Sequence, residues 1–227
     1  MTKMKYTLSA AVLAAALLGA PAAHAEEGYE EEAAYEETAE APAAEEAPVS
    51  VGMPNPYIEY KDVPALERSI GFPVLYLPAN FYASYHPAVH VYGIGGQVAD
   101  VRFVGKLDGS TIALRTAVLP FVHTEDISGF YSVDWKKESA GDSNNTPIYA
   151  ASASDGTRVV RWTSGNFVFS LAIGNADDAL YKAIVKNFVV VSARFSKKYH
   201  NVNFEMTPSA KRILAEEKAA AAAAAAK

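Results

Sequence analysis

Apolar residues recur at every second position through the middle of this chain, and Asp-Gly pairs divide the runs. Val101 and Phe103 alternate with Asp100 and Arg102, and Ile112 and Leu114 alternate with Ala113 and Arg115; Asp108-Gly109 lies between. Downstream, Tyr131, Val133 and Trp135 alternate with Ser132, Asp134 and Lys136. A polar stretch, Gly141-Asp142-Ser143-Asn144-Asn145, separates these from Ile148–Ala153, and Asp155-Gly156 then leads into Val160 and Trp162. Ser164-Gly165-Asn166 turns the chain once more before Phe167, Phe169 and Leu171. A period of two places side chains on opposite sides of an extended backbone, and Asp-Gly supplies the positive φ of a tight hairpin turn. The pattern predicts antiparallel strands with one apolar face, which needs a cover.

Helical patterns supply that cover. Asp62 is placed to cap a helix running to about Ile70, with Pro64 in its first turn and Gly71 ending it. Phe72-Pro73-Val74-Leu75-Tyr76-Leu77-Pro78 follows as an extended segment bounded by prolines. Further on, Asn175 is the expected cap of a second helix, with Asp177 and Asp178 early and Lys182 and Lys186 later, the order that suits a helix dipole. Leu180, Ala183, Ile184 and Phe188 share one face of it. The expected fold is therefore α+β: a curved antiparallel sheet of about six to eight strands, with one or two helices on its concave face. Phe195–Met206 reads as irregular. Thr207-Pro208 then opens a terminal helix that runs into eight alanines, Ala219–Ala226, and offers only Ile213 and Leu214 for burial. That tail is expected to project and fray.

The N-terminus carries an export pattern. Lys3 and Lys5 precede an uncharged, mainly apolar run from Tyr6 to Leu18; Gly19-Ala20-Pro21 breaks it, and Ala23-His24-Ala25 has the small-x-small form that signal peptidase cuts. The run is shorter than the roughly 20 residues that cross a bilayer, so cleavage is favoured over retention as an anchor. The sequence divides into a signal peptide (1–25), a disordered acidic linker (26–50), an antiparallel domain (51–206) and an alanine-rich tail (207–227). The linker holds ten glutamates and no lysine or arginine, whereas 18 basic and 16 acidic residues follow it. The formal charge of −6 thus belongs to a tail. A near-neutral domain lacks the basic face that nucleic acid requires. With no cysteine anywhere, the chain has no disulfide, no thiol chemistry and no site for lipid attachment at the cleavage point. The expected location is the periplasm, the cell envelope or the exterior.

Several features between Glu67 and Phe188 carry a resemblance. They are Gly71-Phe72-Pro73-Val74 with Pro78, the strand, Asp-Gly turn and strand around Val101–Leu114, Glu125-Asp126-Ile127-Ser128-Gly129, Trp162 three residues before Gly165 with Phe167-Val168-Phe169-Ser170-Leu171, and the Asp177–Asn187 helix. In this order they resemble a domain-of-unknown-function family of exported proteins from Firmicutes and their relatives. That family is found as the outer domain of anti-sigma-factor-like membrane proteins. The resemblance implies a half-barrel similar to lipoprotein-carrier folds, and it implies no catalytic residue. The chain departs from the family in having a cleavable leader in place of a membrane span with a cytoplasmic segment.

Searching the residues for chemistry yields little. His86 and His90 have helical zinc spacing, but Pro87 lies between them and no Glu follows His86. They read as loop and rim histidines, and no metal or cofactor is expected. His123 with Glu125 and Asp126 allows acid–base work, yet a turn hydrogen bond is the simpler use. Gly93-Ile94-Gly95-Gly96 lacks the Lys-Ser/Thr of a phosphate loop and reads as a tight turn. No Gly-x-Ser-x-Gly elbow occurs. What stands out is an aromatic concentration, Tyr57, Tyr60, Tyr76, Phe81, Tyr82, Tyr85 and Tyr92. Of these, Tyr76, Phe81, Tyr82, Tyr85 and Tyr92 are the candidate rim for a ligand or partner, and equally a plug for the open end of a half-barrel. The expected function is that of a non-catalytic envelope module binding an envelope protein, a cell-wall fragment or a lipid. The alternative is a carrier holding an apolar molecule between sheet and helix.

Overall fold

The alternating runs pair into one open, eight-stranded antiparallel sheet in the computed structural model, which describes residues 56–122 and 124–226. The expected signal peptide and acidic linker lie outside the described residues. The strands are β1 (Tyr57–Glu59), β2 (His90–Ile94), β3 (Val98–Val104), β4 (Thr111–Val118), β5 (Lys136–Ser139), β6 (Pro147–Ser152), β7 (Arg158–Ser164) and β8 (Phe167–Gly174). Their spatial order is β1-β2-β3-β4-β8-β7-β6-β5. Each half is a meander, and β4 and β8 meet at the centre. The hairpin turns fall where the glycines require them: Gly109 has φ 64° and Gly156 φ 83°.

Register shows how the period of two divides the sheet. Leu114 pairs with Val101 on one side and Leu171 on the other, and Phe169 pairs with Thr116 and Trp162. These residues lie on the inward face. Helix α1 (Val63–Ile70) packs on it over β2 and β3, and helix α2 (Asp178–Lys198) over β7 and β8. Phe103, Phe167, Phe169 and Phe188 are fully buried in the resulting core. Within this core the Trp162 indole donates to the Ser192 hydroxyl at 2.9 Å, which satisfies a polar group sealed from water.

Helix ends follow the capping rules, with one correction. Asp62 accepts from the Ala65 amide at 2.8 Å, and Gly71 ends α1 in the left-handed region. For α2 the cap is Asp177, accepting from the Leu180 amide at 2.7 Å, and not Asn175, which sits at φ 53°. Asn tolerates that conformation and so serves the turn before the helix instead. Helix α2 also runs on through Phe195–Lys198, part of the segment read as irregular. Phe195 stacks edge-on to Phe167 at 5.0 Å, so tertiary packing extends the helix beyond its amphipathic pattern.

Two other expectations change. Tyr131–Trp135 alternates but forms no strand, and β5 starts only at Lys136. Tyr131 is 90% exposed: these residues end the connection from β4 at the centre of the sheet to β5 at its edge. That connection crosses the outward face, where Ala117, Val122, Ile127 and Val168 form a small second core. Helix α3 (Pro208–Ala225) is docked at its start instead of projecting from its first turn. Thr207 caps it and donates its hydroxyl to the Ser69 carbonyl at the end of α1, and Ala210 is buried. A Cβ on Gly96 would lie 2.6 Å from the Ala210 carbonyl oxygen, so the Gly95-Gly96 turn also makes room for this helix.

Candidate functional site

Four of the five candidate aromatics gather at the β3–β4 hairpin end. A short 3-10 turn, Ala79–Phe81, sets the path of this segment. Tyr85 bridges to Gly105, and its hydroxyl meets the Ser110 hydroxyl at 2.7 Å in a buried position. Burial pushes the Tyr85 phenol above its ordinary value, against the lowering effect of the Ser110 bond. Phe81 packs edge-on beneath Tyr85 with centroids 5.8 Å apart. Tyr76 stands edge-on to Phe103 at 5.2 Å, and its hydroxyl accepts from the Ala88 amide at 3.2 Å.

Together Tyr76, Tyr82, Tyr85, His86, Pro87 and Lys106 line a pocket of about 270 Å³. Tyr82 is 55% exposed at its edge. The Lys106 ammonium donates to the Tyr82 and Ala83 carbonyls at 3.3 and 3.0 Å, which fastens the loop to the strand end. The walls are ring faces and a proline, with one cation and one imidazole at the margin. Such a surface suits a flat or apolar group with a polar end.

Tyr92 does not join this pocket. It projects from the outward face of β2, edge-on to Tyr57 at 5.8 Å and stacked on His90 at 5.5 Å. Beside it, Asp100 is fully buried and accepts from Arg102 through two nitrogens, at 3.1 and 3.3 Å, and from Arg115 at 3.1 Å. Arg115 also donates to the Ile127 carbonyl at 2.9 Å and the Tyr57 hydroxyl at 2.6 Å. The hydrogen bonds that Arg102 donates to Asp100 hold its guanidinium above the ordinary value, although partial burial opposes this. This network anchors the crossing connection to β3 and β4. The alternation of Asp100, Arg102 and Arg115 with apolar residues marks their face in the sequence, but nothing in the sequence pairs them.

A roomier cleft of about 480 Å³ lies toward the β5–β6 edge of the sheet, lined by Lys136, Glu138, Arg158 and Tyr181 among others. Its arginine is engaged: Arg158 donates to Asp178 at 2.6 Å, to the Asp177 carbonyl at 2.8 Å and to the Ala176 carbonyl, and it lies 4.2 Å from the Tyr181 ring centroid. The contact fastens the start of α2 to β7. Burial, aided by Glu138 and opposed by Arg158, raises the Tyr181 phenol above its ordinary value.

The histidines face different neighbours. His86 lines the aromatic pocket, whereas the His90 Nδ1 lies 2.9 Å from the Glu59 carboxylate on the outward face. His123 lies outside the described residues. Asp126 closes a local turn, its Oδ1 accepting from the Ser128 amide at 3.0 Å and the Ser128 hydroxyl at 2.6 Å. Among the described residues no group of three or more His, Asp or Glu side chains is placed to hold a metal ion. No helix among them is long and apolar enough to cross a membrane. Comparisons with family models, curated proteins and solved structures found no match.

Proposed function

We propose that this chain is a non-catalytic, exported cell-envelope protein that binds a ligand or partner at the Tyr76–Tyr82–Tyr85 pocket. The observation that carries the reading is Tyr82, a large aromatic more than half exposed at the edge of a pocket whose other rings are fixed from behind. Rings already fixed by the fold lower the ordering cost of binding. The export pattern of residues 1–25 and the resemblance of Glu67–Phe188 to exported outer domains support the location and the non-catalytic class. The alternative, a carrier of lipid in the half-barrel, requires space between sheet and helices. That interior is occupied by Phe103, Phe167, Phe169 and Phe188, which favours binding at the surface over carriage within.

A thermal-shift screen of the full chain against cell-wall fragments, lipids and envelope proteins tests the reading. Stabilisation by one class, lost in Tyr82→Ala, is the expected result. No shift in any of the three classes overturns it, and co-purified lipid in native mass spectrometry that survives Tyr82→Ala would move the assignment to the carrier.

A further inference from the structure

Arg161 differs from the other arginines of the sheet. Arg102, Arg115 and Arg158 each donate hydrogen bonds to carboxylates or carbonyls. Arg161 donates none among the described residues, and its Nε is buried without a hydrogen-bond partner. The side chain is only 19% exposed. Its nearest counter-charge is Asp126 Oδ2 at 4.0 Å, beyond hydrogen-bond reach. Aromatic rings hold the guanidinium instead. Its carbon lies 4.8 Å from the ring centroid of Tyr149, its direct cross-strand partner, and 4.9 Å from that of Trp135. Leaving a buried donor unpaired costs about 1–3 kcal/mol, so the guanidinium keeps unused donor capacity that an acceptor from outside the chain can fill.

There is room for that acceptor. Arg161, Lys137, Tyr149, Thr146, Thr163 and Glu125 line a pocket of about 220 Å³ on the outward face. A guanidinium fixed by its faces presents its edge, and that planar fork matches the two oxygens of a carboxylate. The surrounding charges narrow the class. Lys137 adds one positive charge, while Glu125 and Asp126 add two negative ones, so the site has no net field to draw a polyanion. A ligand with a carboxylate next to an N–H donor satisfies both signs at once.

We propose that the Arg161 pocket binds an α-amino carboxylate with a small side chain, either a free amino acid or the C-terminal residue of a peptide. Arg161 takes the carboxylate, and Glu125, which lines the pocket, takes the ammonium or amide N–H. This site lies on the opposite face from the aromatic pocket and does not depend on it.

The chain reports on this site by itself, because both of its tryptophans border it: Trp162 lines the pocket from the core side and Trp135 lies against the Arg161 guanidinium. Tryptophan fluorescence of the full chain is titrated with alanine, with alanyl-alanine and with inorganic phosphate. Saturable binding of either amino carboxylate, weakened about tenfold by Arg161→Lys, is expected, since lysine keeps the charge and loses the fork. Alanine alone assigns a free amino acid; alanyl-alanine alone, or both together, assigns a site that accepts a peptide end. No saturable response to either, a response to phosphate alone, or equal affinity in Arg161→Lys overturns the proposal. The Arg161 Nε–H resonance of the wild-type chain provides a reading that requires no variant: it must shift with ligand, and a resonance that stays fixed at saturation is equally fatal.

Discussion

The inward and outward faces of the sheet are built by alternate residues of the same strands, yet they are held by different physics. On β3 and β4 the inward positions are Val101, Phe103, Ile112 and Leu114, all buried in the core under the helices. The outward positions of those strands include Asp100, Arg102 and Arg115, tied to one another and to the crossing connection by directed hydrogen bonds. Burial of apolar area is non-directional and tolerates rearrangement; a buried carboxylate between two guanidinium groups tolerates none. One face therefore supplies most of the stability, and the other fixes where the connection lies and leaves Arg161 open. The site proposed at Arg161 lies on the face that contributes less apolar burial, and the aromatic pocket on the other.

Substitutions can separate the two. On the inward face, Phe169→Ala removes a ring that touches Trp162, Phe167 and Phe195, and a loss of about 3–5 kcal/mol in urea unfolding is expected. A loss below about 1 kcal/mol would mean that the core is loosely filled, which would revive the carrier. On the outward face, Asp100→Asn strips the counter-charge from Arg102 and Arg115. The expected cost is about 2 kcal/mol, less than for a wholly buried pair because Arg102 is 41% exposed. Protease cleavage within 119–135 should rise with it; unchanged cleavage would show that the apolar patch alone holds the connection.

The smallest expected effect is on pH. Burial disfavours the Asp142 carboxylate, but hydrogen bonds from the Thr146 hydroxyl and the Thr146 and Asn144 amides outweigh it and hold the group below the usual aspartate range. A folded value below the unfolded one makes the ionised form the stabilising one. Its contribution is complete above the unfolded value of about 3.9 and is lost as pH falls through the folded value. Asp142→Asn should therefore lower the urea midpoint at about pH 7 more than at about pH 3. Equal losses at both would place the effect in packing rather than in charge.

Much of the architecture is legible in one dimension. Strands β3, β4, β7 and β8 announce themselves by alternation, their hairpins by Asp-Gly and Ser-Gly-Asn, and α1 by Asp62, Pro64 and Gly71. Where the reading failed, a long-range partner decided the outcome. Tyr131–Trp135 alternates as a strand would, but the chain there is still crossing to the far edge of the sheet. Phe195 lacks a clean helical stripe, yet Phe167 holds it in α2. Ala210 carries no hydrophobic signal and is nonetheless buried, because its helix docks on α1 and its backbone lies against the Gly95-Gly96 turn. Among the rim aromatics, Tyr92 was separated from its neighbours in sequence by strand parity: it points outward from β2 while Tyr85 is drawn into the core.

By itself, then, the sequence determined the fold class, the hairpin turns, the caps of α1 and α3 and which residues of the main strands share a face, because each depends on contacts a few residues apart. Tertiary structure alone decided which strands lie at the centre, where the β4–β5 connection crosses, and which arginine is left with unpaired donors. Those outcomes depend on residues brought together across the chain, as Arg161 is with Trp135 and Asp126. A charged side chain carries no mark in sequence of whether its partner will arrive.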